Sequence, residues 1–288
     1  MITSTTNPHI KRICKLQTQA KAREEERVFV IEGTKLFLEA PEQLLQEVYI
    51  TEYCLCKLNE DPQASQKIAR FAYETVSEAV MQRMSATKTP QGLLCVVVQD
   101  DIVPRRGGCP HPPVQTAQDE IAPRRGGCQP PAIPGVPPLY LLLEDIQDPG
   151  NLGTIIRTAE AAGVTAVILG PGCADIYNPK TVRATMGSIF RVPFASAVDL
   201  VAEIARLQTA GVQVYAACLE EATPYVNQDY RGATAFLLGN EGAGLSQAAK
   251  DAATGKIMIP MSGAVESLNA ATAAAVLLYE AVRQRGAS

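Results

Sequence analysis

Short runs of apolar residues alternate with amphipathic stretches through the second half of the chain. The apolar runs predict strands at 139–143, 166–169, 213–217, 234–238 and 256–259. The stretches between and after them predict helices at 151–162, near 179–187, at 199–210 and from 267 to about 285. Continuously apolar strands that are separated by helices indicate an α/β domain, whose mostly parallel sheet is covered on both faces.

The first hundred residues show a similar alternation on a smaller scale. The pattern predicts helices at 8–27, 34–40, 62–71 and 77–84, and strands at 28–31, 48–51 and 93–98. A second, small α/β domain is therefore expected at the N-terminus. With 288 residues, the chain is long enough for two domains that each bury a core.

A proline-rich segment separates the two patterns. Residues 100–138 contain ten of the twenty prolines and an imperfect duplication, in which Ile102-Val-Pro-Arg-Arg-Gly-Gly-Cys-Pro110 returns from Ile121. Such a segment cannot form a helix or a central strand. An RNA-contacting Arg-Gly segment is one interpretation; a linker lengthened by duplication is favoured, because only two copies occur and aromatic residues are absent. The predicted domains are therefore 1–99 and 139–288.

The charge distribution gives only a weak indication of a partner. The formal net charge is −4, and the whole acidic excess falls in 139–288, which holds 10 basic and 14 acidic residues. Residues 1–35 carry seven basic side chains against four acidic ones. No part has the charge of a protein that binds nucleic acid by electrostatics alone, but this basic N-terminal arm is compatible with a polyanion.

The cysteines and histidines do not suggest a metal site or a disulfide framework. The eight cysteines are scattered without a CxxC pair, and His9 and His111 lack metal-ligand spacing to any of them. Cys54 and Cys56 would share one face if they lay on a strand. Free thiols in a reducing compartment are expected. The chain has no signal-like or membrane-spanning apolar segment, so a cytoplasmic protein that does not bind membranes is predicted.

Three loops that follow predicted strands carry candidate chemistry. In the first, Pro149 and Gly150 form a turn, Asn151 is placed at a helix N-cap, and Arg157 projects from the second helical turn, within reach of an anion near the positive end of the helix. Taken alone, this loop is better interpreted as the start of a capped amphipathic helix with one solvated arginine. The second, Leu237–Ser246, has glycines at 239, 242 and 244 that permit close backbone approach to a ligand. It lacks both a phosphate-loop lysine and the GxGxxG spacing. The third runs from 257 into an alanine-rich helix, with Ser267 as the expected cap.

Together these loops resemble the three motifs of the SpoU/TrmH family of S-adenosylmethionine (SAM)-dependent RNA 2′-O-ribose methyltransferases, of the SPOUT class. The matching segments are Asn151-Leu-Gly-Thr-Ile-Ile-Arg157, Leu238-Gly-Asn-Glu-Gly-Ala-Gly244, and Ile259-Pro-Met-Ser-Gly263 with Ser267-Leu-Asn269. The stretch 175–193 is also similar to the family, and 1–99 resembles its small RNA substrate-binding domain. The resemblance implies a deep trefoil knot in the C-terminal domain and a homodimer formed through that domain.

The resemblance also implies roles for individual residues. SAM would be held by the backbone of Gly239, Ile259 and Leu268, with Leu238, Asn240, Pro260 and Met261 lining the knot. Arg157 would handle the ribose 2′-hydroxyl proton or position an RNA phosphate; a guanidinium is a poor base, so phosphate binding with polarisation of the hydroxyl is preferred. Asn151, Glu241, Ser267 and Asn269 would hold the loops and substrate by hydrogen bonds.

The expected activity is methylation of ribosomal RNA, without a metal. Transfer RNA is an alternative substrate within the same chemistry. A protein of a different class, which binds RNA or assists assembly without catalysis and keeps the knot as a scaffold, is a further alternative. The presence of Asn151, Arg157, Glu241, Ser267 and Asn269 argues against that scaffold.

Overall fold

The structure, a computed structural model, describes residues 1–99, 136–263 and 267–286, and these form two compact units. The first unit contains the N-terminal residues together with Ile146–Thr158 and Ala174–Phe190, and the second contains the other described residues. The predicted linker at 100–138 lies outside the described residues as far as residue 135.

The N-terminal part of the first unit is a four-stranded mixed sheet with helices. Its elements are α1 (Pro8–Thr18), α2 (Ala20–Glu26), β1 (Val28–Glu32), α3 (Thr34–Glu39), β2 (Leu45–Ile50), α4 (Glu52–Glu60), α5 (Pro62–Ile68), β3 (Glu74–Thr75), α6 (Glu78–Met84) and β4 (Leu93–Val98). The strand order is β1-β4-β2-β3, and only β2 and β3 run parallel. Apolar residues of α1 and α6 pack on this sheet to form a core.

The small predicted α/β domain is present, with local corrections, and the two-residue strand β3 was not predicted. The single helix predicted over 8–27 is broken at Gln19, which is extended, so that α1 and α2 are separate. The sequence pattern missed α4, and Cys54 and Cys56 lie on that helix rather than on a strand; Cys54 is buried and Cys56 is exposed. A helix turns 100° per residue, so positions two apart cannot share a face. The six cysteines that the structure describes are free thiols, as expected.

Two further helices belong to the first unit. They are α7 (Pro149–Ala161), up to Thr158, and α8 (Pro179–Thr185). The segment before α8 is fastened by Asp175, whose carboxylate accepts hydrogen bonds from the buried Arg23 guanidinium at 2.5 and 3.0 Å. Close by, the rings of Phe29 and Tyr177 lie 4.9 Å apart.

Gly153 allows α7 and α8 to approach closely. A Cβ atom at this position would lie 2.5 Å from the Ala184 Cβ and 2.6 Å from the Thr181 carbonyl oxygen. Contacts this short require a shift of backbone, because neither neighbouring atom is at the end of a flexible side chain. The glycine of the first candidate motif therefore has a packing role that is independent of any ligand.

The substitution Gly153→Ala is expected to lower the free energy of unfolding by about 1–3 kcal/mol, the usual cost of overpacking. Urea denaturation followed by circular dichroism measures it. Gly232→Ala is the matched control, because a Cβ there meets nothing within 4 Å, and we expect it to change the free energy of unfolding by no more than about 0.5 kcal/mol. Equal stability of the two variants would contradict the close packing.

The second unit is built on a seven-stranded sheet in which every neighbouring pair is parallel. Its strands are β5 (Leu139–Leu143), β6 (Ala166–Leu169), β7 (Phe194–Ser196), β8 (Gln213–Ala217), β9 (Thr223–Pro224), β10 (Thr234–Leu238) and β11 (Gly255–Met258). The order is β7-β6-β5-β10-β8-β11-β9. The predicted parallel sheet is confirmed; the short edge strands β7 and β9 were not anticipated.

The helices α9 (Leu200–Thr209), α10 (Gln247–Ala252) and α11 (Ala270–Gly286) complete this unit. Ala270, Ala274, Leu277 and Ala281 form a buried stripe along α11, which packs against β10. Near its end, Arg285 donates hydrogen bonds to four carbonyl oxygens that lie just before β5 and β10. The C-terminal helix is thus fastened to the amino ends of two central strands.

None of the helices in the described ranges is long and apolar enough to cross a membrane. Among the described residues, no group of three or more histidine, cysteine, aspartate or glutamate side chains is placed to hold a metal ion.

Candidate active site

The carboxyl end of β5 is joined to the loop after β10 by two acidic residues. The Glu144 carboxylate accepts hydrogen bonds from the backbone N–H and the hydroxyl of Ser246, both at 2.8 Å. The next residue, Asp145, has a positive φ of 56° and presents its carbonyl oxygen to the Asn240 side chain at 3.0 Å. Because β5 and β10 are adjacent parallel strands, these bonds hold the loop at the edge where open α/β sheets bind ligands.

The glycine-rich loop folds around Asn240. Its side-chain oxygen accepts hydrogen bonds from the N–H groups of Gly242 and Ala243 at 2.8 and 3.0 Å, and its carbonyl oxygen accepts one from Gly244 at 2.9 Å. This is an Asx-type turn, in which a side-chain oxygen replaces a backbone acceptor. The backbone then returns past Gly239, where a Cβ atom would lie 2.4 Å from the Gly244 carbonyl oxygen.

The second half of this candidate site follows β11. Ile259, Met261 and Leu268 are half-buried, Pro260 is exposed, and Leu238 at the end of β10 is buried. Half-buried apolar side chains beside a loop of small residues offer both contact surface and backbone hydrogen-bonding groups. Such a combination fits a flat aromatic base with polar substituents, as in an adenosine.

The start of α11 corrects one expectation. Ser267, predicted as the cap, lies before the helix and is exposed. Asn269 caps it instead: its side-chain oxygen accepts the Ala271 N–H at 3.0 Å, and its carbonyl oxygen accepts the Ala273 N–H at 2.9 Å. Either residue type can cap a helix, so the sequence did not distinguish between them.

The first candidate motif also begins earlier than expected. Asn151 is not the N-cap, because α7 starts at Pro149. Asp148 takes that role, and its side chain accepts the Asn151 N–H at 2.9 Å. Proline favours the first helical position, which explains the difference. Lys180 donates to the Asp148 carboxylate at 2.7 Å, and this hydrogen bond together with that from Asn151 lowers the pKa of Asp148 below its ordinary value.

Arg157 lies on the exposed face of α7, one turn further along the helix than predicted. Within the described parts of the chain, its side chain has no hydrogen-bonding or ionic partner. This contrasts with Arg23 and Arg191, which are both paired with carboxylates. An unpaired, exposed guanidinium is available to a phosphate or a hydroxyl group of a substrate.

The predicted site residues divide between the two units. The second unit holds the larger group: Leu238, Gly239, Asn240, Glu241, Ile259, Pro260, Met261, Ser267, Leu268 and Asn269. Leu238 to Glu241 are consecutive at one strand end, and Glu241 is half-buried. The first unit holds Asn151 and Arg157.

Sequence reasoning did not single out Glu144, Asp145 or Asp148 as site residues. Their position in the sequence could have identified them, because acidic residues that directly follow a buried strand lie at the carboxyl edge of a parallel sheet, where ligands bind.

An α/β unit whose sheet is wholly parallel, with ordered glycine and proline loops after its central strands, belongs to the large class that binds nucleotides or related molecules at such edges. The profile of the SpoU rRNA Methylase family matches residues 138–279, and that of the MRM3-like substrate binding domain matches residues 7–95. The chain therefore belongs to the SpoU rRNA methylase family, in agreement with the resemblance seen in the three motifs.

Relatives named as rRNA methyltransferases span nearly the whole chain. The 23S rRNA (guanosine(2553)-2′-O)-methyltransferase RlmP of Bacillus subtilis (strain 168) is 34% identical over 278 residues, which are 96% of this chain and 97% of the relative. A crystal structure of an rRNA methyltransferase from Sinorhizobium meliloti is 31% identical with a TM-score of 0.77, covering 98% of this chain and 96% of that one. The AdoMet-bound form from the same organism is 32% identical with a TM-score of 0.74, covering 98% and 97%.

Proposed function

We propose that this protein is a SAM-dependent ribosomal RNA 2′-O-ribose methyltransferase. The observation that carries the proposal is the Asn240-centred glycine loop, fastened to the carboxyl edge of a parallel sheet in a chain of the SpoU family. A full-length relative at 34% identity is a 23S rRNA 2′-O-methyltransferase, which supports both the reaction and the substrate class.

The residues of the second unit fit SAM. Gly239 allows its own backbone to lie close to the backbone of Gly244, on the returning part of the loop. Ile259, Met261 and Leu268 are partly exposed and offer apolar surface for an adenine ring. We assign cofactor binding to Leu238, Gly239, Asn240, Ile259, Pro260, Met261 and Leu268. SAM would supply a methyl group bonded to a sulfonium sulfur. The sulfur is a good leaving group, because it departs as a neutral thioether, and the methyl group therefore needs little activation. The protein's part is therefore orientation, exclusion of water and handling of one proton.

The remaining roles concern the RNA. Arg157 would bind a phosphate and polarise the 2′-hydroxyl, because its guanidinium stays protonated and cannot act as an efficient base at neutral pH. Asn269 would hold the start of α11, as its cap hydrogen bond suggests. Asn151, Glu241 and Ser267 would contact substrate or the neighbouring loops. Asp148 is a positioning residue for Asn151, through the hydrogen bond to its N–H.

Several finer properties form part of the same proposal. We propose a functional division into an RNA-binding domain at 1–99 and a catalytic domain at 139–288, with the segment between them as a linker. The C-terminal segment would form a deep trefoil knot, which the resemblance of the three motifs to the SPOUT class implies and membership of the SpoU family supports. A homodimer through the knot domain and action in the cytoplasm complete the proposal.

Two alternatives are separable by experiment. Transfer RNA would be methylated by the same chemistry, and a non-catalytic RNA-binding protein would bind RNA without transferring a methyl group. The full-length match to a 23S rRNA methyltransferase favours ribosomal RNA. The same relative is named as a methyltransferase, which favours catalysis over a scaffold role.

The test incubates the protein with methyl-labelled SAM and, separately, deproteinised ribosomal RNA and transfer RNA. We expect label to enter ribosomal RNA at ribose positions, as mapped by resistance to alkaline cleavage, and calorimetry to show SAM binding. Label in transfer RNA alone would show that transfer RNA, and not ribosomal RNA, is the substrate. Absence of both SAM binding and transfer would overturn the enzymatic function.

A further inference from the structure

The outer face of α1 carries a stripe of polar residues. Lys11, Cys14, Lys15 and Thr18 lie three or four positions apart and so share one face, opposite the buried Ile13 and Leu16. Both lysines are exposed. Their i, i+4 spacing puts their Cβ atoms about 6 Å apart, which is comparable with successive phosphates along a nucleic acid strand.

This stripe forms one wall of a groove in the first unit. The groove has a volume of about 900 Å³, and its other wall is the end of α6 with the residues that follow, including Arg83 and Ser85. The walls are joined by two hydrogen bonds, from the Cys14 thiol to the Arg83 carbonyl at 3.3 Å and from the Gln17 side chain to the Met84 carbonyl at 3.1 Å. The groove is therefore held in shape by hydrogen bonds between α1 and the end of α6.

The charge of the groove is of one sign. Lys11, Lys15 and Arg83 are its charged residues among the described lining, which includes no carboxylate. None of these three side chains has an ionic partner in the described chain. Two other basic residues of the N-terminal arm lie beside carboxylates: Arg12 pairs with Glu26 and Glu47, and Lys21 pairs with Glu25.

A buried carboxylate makes the second wall rigid. Glu32, at the end of β1, is 6% exposed and accepts hydrogen bonds from the Ser85 hydroxyl at 2.8–2.9 Å. It also accepts hydrogen bonds from the Thr87 hydroxyl and the Gln91 N–H, both at 3.1 Å. These bonds fix the segment after α6, so that the groove is preorganised before a ligand arrives.

We propose that this groove binds the sugar-phosphate backbone of the RNA substrate, with Lys11, Lys15 and Arg83 on phosphates. The inference rests on the proposed function and names the surface through which the N-terminal domain would hold the RNA. Three unpaired cations without a carboxylate suit a polyanion. No aromatic residue lines the described groove, so backbone contacts are favoured over base stacking.

The test compares the wild type, the triple variant Lys11→Gln/Lys15→Gln/Arg83→Gln and the control Lys21→Gln, with deproteinised 23S ribosomal RNA as the probe. The triple variant should bind RNA at least about tenfold more weakly and reduce the slope of log affinity against log salt by about 2 to 3. Its KM for RNA should rise, while kcat at saturating RNA and SAM affinity stay near wild type. Lys21→Gln should change RNA affinity by less than about twofold, because its cation is outside the groove.

A second measurement uses the native cysteines. RNA should slow alkylation of Cys14, which lines the groove, and leave the rate at the exposed Cys56 unchanged, as read by peptide mass spectrometry. The proposal that the groove binds RNA would be overturned if a folded triple variant kept the wild-type RNA affinity and salt slope, or if RNA did not slow alkylation of Cys14. The proposal would also be overturned if polyglutamate, a polyanion without a sugar-phosphate backbone, displaced the RNA as effectively as polyuridylate does. A wild type that binds RNA here but transfers no methyl group would instead overturn the proposed function.

Discussion

Replacing Arg157 by alanine is expected to lower kcat for RNA methylation by at least about a hundredfold, the cost that a small misplacement of reacting groups can carry. The side chain is exposed and has no partner in the described chain, so its removal leaves no buried group unsatisfied. SAM affinity should therefore stay within a few-fold of wild type. Single-turnover transfer of labelled methyl groups and calorimetry of SAM binding measure the two quantities separately.

Two further variants control this result. Thr154→Ala removes another exposed side chain from the same helix, and it should leave the rate near wild type. Arg157→Lys keeps the charge without the planar fork, so partial recovery is expected if the guanidinium mainly binds a phosphate. A wild-type rate in the alanine variant would remove Arg157 from the catalytic site, and loss of the folded state would give it a structural role.

Gly239→Ala is expected to weaken SAM binding by about ten- to hundredfold, corresponding to roughly 1–3 kcal/mol of strain. The new Cβ would lie 2.4 Å from the Gly244 carbonyl oxygen and 2.7 Å from the Leu245 nitrogen. Both are backbone atoms, so the loop itself must move. Isothermal titration calorimetry with SAM measures the loss.

Gly242→Ala provides the matched control in the same loop. Its Cβ would meet only the Asn240 side-chain oxygen, at 3.5 Å, which is an ordinary contact. SAM affinity should change by less than about threefold, since the loop keeps its shape. Equal losses in the two variants would show that the loop tolerates no side chain at all, and equal retention would remove Gly239 from the cofactor site.

Much of the architecture could be predicted because local patterns of apolar and polar residues indicate it. The apolar runs at β5, β6, β8 and β10 are largely buried and were predicted with the bounds that the structure has. The short edge strands β7 and β9 were missed, since two or three residues give no periodic signal. The helix starts were misplaced because neighbouring Asp148 and Asn151, or Ser267 and Asn269, are equally good caps in isolation.

The site shows the same division between local and distant information. The order and content of the three motifs were sufficient to indicate the family, and the family profile agrees. The hydrogen bonds from Ser246 to Glu144 and from Asn240 to Asp145 join positions about a hundred residues apart. No sequence period connects such positions, so these anchoring residues could be identified only in the folded chain.

The α/β class, the parallel strands and the three candidate loops can be predicted from local sequence patterns, because burial periodicity and glycine or proline placement act over a few residues. The tertiary structure decided which close approaches require Gly153 and Gly239, and which N-terminal cations stay unpaired. Lys15 and Lys21 are both lysines of the same basic arm, but only folding sets one beside a groove without carboxylates and the other beside Glu25. Electrostatic partnership depends on distances of a few ångströms, which chain packing alone establishes.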